Sequence, residues 1–256
     1  MKFNRELFNE YFIIDKIPEW TCPTCASGKL FLKEKQFTTH ETYESQNEHH
    51  EDGWEPEWIR EKFYGDLICS NKKCNEKTTI AGRIRVEPDY IIDEETNEQH
   101  LSYIQVYYPE YFYPYLTLFD YPENFPNKLE KSLESIFKLF WIDKSACANA
   151  IRIMIDEILT DQKINKTVKS KSGKRLTHQL HHRIEEFKKI NPVIAEFLLA
   201  IKWIGNYGSH SIDMKHKDIL HGIELLQVVI EKLYNDDKRL ITIAKQINKK
   251  RKPLGK

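Results

Sequence analysis

Four cysteines set in two pairs, Cys22-Pro-Thr-Cys25 and Cys69-Ser-Asn-Lys-Lys-Cys74, are the residues of this chain best spaced to act together. A thiolate pair separated by two to four residues closes on one metal from a single tight turn. Two such turns supply the four soft ligands of a tetrahedral zinc. Trp20 before the first pair, Pro23 inside it and Gly28 after it give a knuckle character, and Leu67 and Ile68 lead into the second pair like the end of a strand. The intervals are two, 43 and four residues, so a shared site ties a long excursion back to its root. Two disulfides or four unrelated thiols are the alternatives. A secreted disulfide framework needs a signal peptide, and Met1-Lys-Phe-Asn-Arg5 opens no apolar segment. The spacing favours zinc in a structural role, because four protein ligands leave the metal no open position. Cys147 stands apart in an apparent helix with no readable base and is expected as a small core residue.

A second candidate is Gly205-Asn-Tyr-Gly-Ser-His210, which reads as a break between two strong helices. On one reading Gly205 is a left-handed helix cap and the polar residues bond nearby backbone. On the other, Asn206 and His210 project from the break into a cleft. Two cations fall within reach of it: Arg152 on a facing helix and Lys202 one turn earlier, the latter expected to be solvated. Histidines 178 and 182 are spaced to share a helix face, but without a third ligand they are expected at the surface.

The elements that must hold these residues divide into two kinds. Residues 1–110 read as short strands around the cysteines: 29–33, 78–86 with a bulge at Gly82, and 100–108, with Asp93 to Glu98 as a hairpin loop. Thr38 to Lys62 reads as a polar, solvated insert carrying His40, His49, His50, Trp54 and Trp58, the two tryptophans on one face of a short helix. Residues 111–126 are a connector dense in proline and aromatics. From 127 the apolar spacing turns to three and four: a helix through Leu129, Leu133, Ile136, Phe137 and Phe140, then a second capped by Asp143. A basic loop follows from Lys163 to Arg175. Further helices start at Thr177, at Asn191-Pro192 (ending at Gly205), near 216 and after Asp237, the last with a basic tail. The fold class expected is α+β, a small zinc-ribbon-like β-rich domain followed by an all-α bundle.

Charge follows the same division. Residues 1–126 carry 13 Lys and Arg against 24 Asp and Glu, whereas residues 127–256 carry 26 against 15. An acidic half that avoids phosphates and a basic half that seeks them would look like this, as would two halves that attract each other. No apolar run approaches the roughly 20 residues of a membrane span, and a cytoplasmic location without membrane contact is expected. Phosphate-cradling glycine loops, a Gly-x-Ser-x-Gly elbow and a His-Glu-x-x-His motif are all missing, which argues against the enzyme classes that need them.

Trp20-x-Cys-Pro-x-Cys, the later cysteine pair, the proline-rich bridge, Ala148 to Leu159 and Ile204-Gly-Asn-Tyr-Gly-Ser-His210 occur in that order. Together they resemble the domain-of-unknown-function family numbered 4145, whose members stand alone or fused to restriction and other prokaryotic defence proteins. The family looks like a divergent branch of the HEPN superfamily of helical bundles that pair into dimers. HEPN ribonucleases resemble one another in a metal-independent Arg-polar-x-x-x-His site, and the resemblance implies Asn206 for the polar position and His210 for the histidine. Histidine would move the proton and arginine would hold the phosphate charge. Gly205 stands where the arginine belongs, so Arg152 is the substitute to consider.

Three functions follow as expectations. The first is a non-catalytic nucleic-acid-associated defence module, homodimeric through its bundle, meeting RNA or DNA through Lys169, Lys171, Lys174, Arg175 and Lys202. The second is a ribonuclease using His210, Asn206 and Arg152. The third is an adaptor docking on a larger nuclease or helicase.

Overall fold

The computed structural model describes residues 2–33, 37–92, 97–169, 173–210, 214–235, 246, 248 and 249, with the side chains of Ser209 and His210 left aside. Lys171, most of the acidic hairpin loop and nearly all of the final basic helix and tail lie outside the described residues. The fold is mixed α/β, with strands in the first half and helices in the second.

Five antiparallel strands form the first layer: β1 (Leu30–Phe31), β2 (Thr38–Glu41), β3 (Arg60–Cys69), β4 (Lys77–Ile92) and β5 (Gln99–Tyr113). β3 takes β1 beside its end, with Leu30 opposite Cys69, and β2 beside its start, with Thr38 opposite Tyr64. Alternation buries Phe63, Leu67 and Cys69 from β3 and Thr78, Ile80 and Ile84 from β4. The register slips between Ala81 and Gly82, the bulge expected from the glycine. β3 stops pairing at Arg85, so beyond it β4 and β5 continue as a two-stranded arm with Tyr90, Ile91, Ile92 and Leu101 exposed.

The stretch expected as a solvated insert is instead ordered on the sheet. It contributes β2 and helix α1 (Tyr43–Glu48), whose buried Ser45 donates to Glu41 at 2.6 Å and accepts from the Arg60 backbone at 3.0 Å. Glu41 also bonds His49, on which Trp54 packs at 4.7 Å. The tryptophans share no helix, because only Pro56–Trp58 forms a single 3-10 turn.

The helical layer comprises α2 (Asn127–Ile142), α3 (Lys144–Asp161), α4 (Leu180–Lys188), α5 (Pro192–His210) and α6 (His216–Tyr234). α3 is central, packing against each of the other four. Its start is set as expected: the Asp143 carboxylate accepts from the Ala146 amide at 2.8 Å. Asn191 caps α5 in the same way, accepting from Ile194 at 3.1 Å. Cys147 is fully buried, and burial pushes its thiol up, so it serves as core. The basic loop turns out to hold a small hairpin, β6 (Thr167–Lys169) with β7 (Arg175–Thr177), and α4 starts three residues later than Thr177.

One expectation is overturned with consequences for function. Gly205 does not end a helix; α5 continues through it and through Gly208 to His210. Both glycines are there for close approach to α3. A β carbon on Gly205 would lie 2.6 Å from that of Arg152, and one on Gly208 would lie 2.6 Å from that of Ala148. A pair of glycines three apart is thus a packing groove, which outweighs the helix propensity it forfeits.

The two layers share one core. Trp20, 1% exposed, packs on Phe12, Phe112 and Trp141, joining sheet to α2. The N-terminal segment crosses in the other direction. The Phe3 amide donates to Gln227 on α6, the Phe8 carbonyl accepts from buried His216, and Glu10 pairs with Lys144. Phe12 then bridges to Tyr107 on the sheet. The border read after residue 110 falls inside β5.

Candidate functional site

The cysteines come together. Each pair rides on a turn closed by backbone bonds: the Cys22 amide donates to Gly28 and Ala26 donates back to Cys22, while Cys74 and Asn75 both donate to Asn71. Ala26 and Asn75 take left-handed backbone (φ of 53° and 48°), which tightens each turn. The β1–β3 pairing then brings the two turns face to face. All four sulfurs lie within 4.8 Å of one another, with Cys22 to Cys74 at 3.9 Å and Cys25 to Cys69 at 3.6 Å. Those gaps far exceed the roughly 2.05 Å of a disulfide. Four thiols so placed could hold a metal ion.

The surroundings act on the sulfurs unequally. Gly28 and Asn71 amides point at the Cys25 and Cys69 sulfurs, each at 3.4 Å. The Ser27 hydroxyl and the Gly28 amide draw the Cys25 thiol down to about 5, while burial pushes Cys69 up. A β carbon at position 28 would sit 2.3 Å from the Cys69 sulfur, so only glycine leaves the space.

In the helical half, a cleft of about 630 Å³ opens between α3, α5 and the connection from β7 into α4. Arg152 and Asp156 line it from α3, Lys202 and Asn206 from α5, and Thr177, His178 and His181 from the connection and the first turn of α4. Arg152 donates through Nε to the Asn206 side-chain oxygen at 3.1 Å, and its stem lies over Gly205. Contrary to expectation, Lys202 is not solvated. It is 9% exposed, with Nζ 3.7 Å from the centre of the Trp203 ring, a cation–π contact. Positions 202, 206 and 210 lie four apart along one unbroken helix.

Sequence reasoning missed Arg183, which is fully buried. It donates to the Asp156 carboxylate and carbonyl, to the Thr160 hydroxyl at 2.8 Å and to the Ile164 carbonyl at 2.7 Å. It therefore clamps α4 to the end of α3. No motif marks it; the only signal is its place on the helix face of Leu180, Ile184 and Phe187. His178 precedes α4 rather than sharing its face with His182, although their rings lie 5.8 Å apart. Lys169, Lys174 and Arg175 are exposed on the hairpin that adjoins the cleft through Thr177.

Fold and sites define a two-layer α/β protein with a four-cysteine cluster in the sheet half and a cationic cleft in the helices. Residues 134–252 match the family described as a domain of unknown function, DUF4145. The match does not extend over the cysteine pairs, from which the resemblance was partly drawn. Residues 10–112 match a different family, also a domain of unknown function, DUF8608. No curated protein and no solved structure matches the chain. Among the described residues no helix is long and apolar enough to cross a membrane.

Proposed function

We propose that this protein is a zinc-stabilised, non-catalytic nucleic-acid-binding module of a prokaryotic defence or restriction system, dimeric through its HEPN-like bundle. Zinc is the metal that best suits four thiolates, and at Zn–S distances of about 2.3 Å a tetrahedral site spaces its sulfurs about 3.8 Å apart. The separations of 3.6 and 3.9 Å bracket that value. Cys22, Cys25, Cys69 and Cys74 would be its ligands in a zinc-ribbon-like half, holding structure rather than substrate.

One observation carries the nucleic-acid reading: Arg152, Lys202 and Asn206 meet in a single cleft beside the exposed basic hairpin. Guanidinium, ammonium and amide groups are suited to phosphate oxygens, and the acidic sheet half would stay clear of them. Position 205 has no room for an arginine, because the Arg152 stem already fills it. A phosphodiester would be held there without the usual motif cation. Fluorescence anisotropy with single-stranded RNA and DNA between 50 and 200 mM salt tests this. Affinity should fall steeply with salt, and Arg175→Ala or Lys169→Ala should each lower the salt slope by about one. Binding that ignores salt would sink the idea.

A second reading has its own support in the Arg152–Asn206 contact, four residues before His210 on the same helix. There Arg152 would supply the missing cation of a metal-independent ribonuclease and His210 would move the proton. RNA cleavage lost in both Arg152→Ala and His210→Ala would establish it.

A further inference from the structure

The cleft's remaining lining is unexplained by backbone binding. Two imidazoles, His178 and His181, face a space already holding two cations, and the Nδ1 atom of each is buried with no hydrogen-bond partner among the described residues. The His178 side chain is 10% exposed, and its Nδ1 lies 3.7 Å from the Glu186 carboxylate, too far for a hydrogen bond. Buried polar atoms are nearly always satisfied, and a turn of either ring would present its unsatisfied nitrogen to an acceptor held in the cleft. The one acid among the described lining residues, Asp156, is paired with Arg183 and with Lys166, the latter at 3.2 Å. The net field in the cleft is therefore positive.

A phosphodiester held by Arg152, Lys202 and Asn206 would leave the two imidazoles on the other side of the cleft unused. A volume of about 630 Å³ lies within the ordinary range of small-ligand sites. We propose that the cleft is a phosphomonoester site: Arg152 and Lys202 neutralise a dianionic phosphate, and His178 and His181 donate to its oxygens. A terminal phosphate has two negative charges and three free oxygens, against one charge and two free oxygens for an internal phosphodiester. It is the ligand for which several convergent donors are worth burying. That phosphate comes either from the end of a nucleic-acid strand or from a free nucleotide. The strand-end form rests on the nucleic-acid reading above; the nucleotide form does not.

The test compares ten-residue RNA and DNA strands bearing 5′-phosphate, 3′-phosphate or hydroxyl ends, together with adenosine monophosphate, on the full chain by anisotropy and calorimetry. Strands with a phosphate end should bind at least tenfold tighter than hydroxyl-ended ones. His181→Gln and His178→Gln should erase that difference while leaving hydroxyl-ended binding in place, with thermal melts confirming that both variants fold. Saturable binding of adenosine monophosphate, lost in the same variants but without any preference among strand ends, would assign the site to free nucleotides. If a terminal phosphate improves binding on no probe, the inference is overturned. Whether hydroxyl-ended strands bind then decides the broader nucleic-acid reading separately.

Discussion

The cysteine cluster and the cationic cleft are built by opposite routes. Each cysteine pair is presented by one short turn, whose hydrogen bonds and left-handed residue lie within a few positions of the sulfurs. Only the short β1–β3 pairing is needed to join them. The cleft has no such local kernel: Arg152 and Asn206 are 54 residues apart, and His181 comes from a third element. Sites assembled from turns can be recognised by spacing, whereas sites assembled from packed helices depend on which faces meet.

The largest effect should come from breaking the cluster. If the cluster holds zinc as proposed, Cys22→Ser or a chelator should lower the bound metal and leave the thiols without the ion they share. Because Trp20 joins the sheet to Trp141, the helices should be destabilised too, with a single calorimetric transition shifted down by about 10 °C or more. Helices that melt unchanged would show that the halves are independent and end the comparison in its present form. Next comes Arg183→Ala, which leaves the Ile164 carbonyl without its donor and empties a fully buried position, and should cost about 2–5 kcal/mol in urea unfolding. Gly208→Val is smaller. It forces the α3–α5 approach apart, for about 1–3 kcal/mol, and tests whether close helix contact shapes the cleft.

A pH effect of modest size is expected at the seam between the layers. Burial holds the His216 imidazole below its ordinary value of 6.5, against the opposing influence of the Phe8 carbonyl and Glu10 and with the help of Lys144 and Arg5. The unfolded chain therefore takes up this proton first, so the stabilisation is present above about pH 6.5 and is lost as pH falls through the folded value. His216→Asn should flatten that part of the stability profile. Smallest of all, Lys169→Ala on the exposed hairpin should change stability by no more than about 0.5 kcal/mol while weakening phosphate binding.

Much of the fold was legible because its signals are periodic. The apolar spacing of Leu129 to Phe140 and of Ile219 to Ile230, the Asp143 and Asn191 caps and the Gly82 bulge all appear where the pattern puts them. Gly205 and Gly208 misled because the same residue type ends helices and lets helices touch. Lys202 misled because a long cation can bury its stem and rest its charge on an aromatic ring.

From its residue order alone the chain decided that four thiols would face one another, that strands would precede helices and that charge would divide between them, since these follow from spacing and composition. Tertiary packing decided that α5 would run unbroken, that Arg152 would lie over a glycine to reach Asn206, and that two histidines would turn toward the same recess. Those outcomes depend on which surfaces of distant segments fit together. That fit is a matter of volume and contact, and it cannot be read from neighbours along the chain.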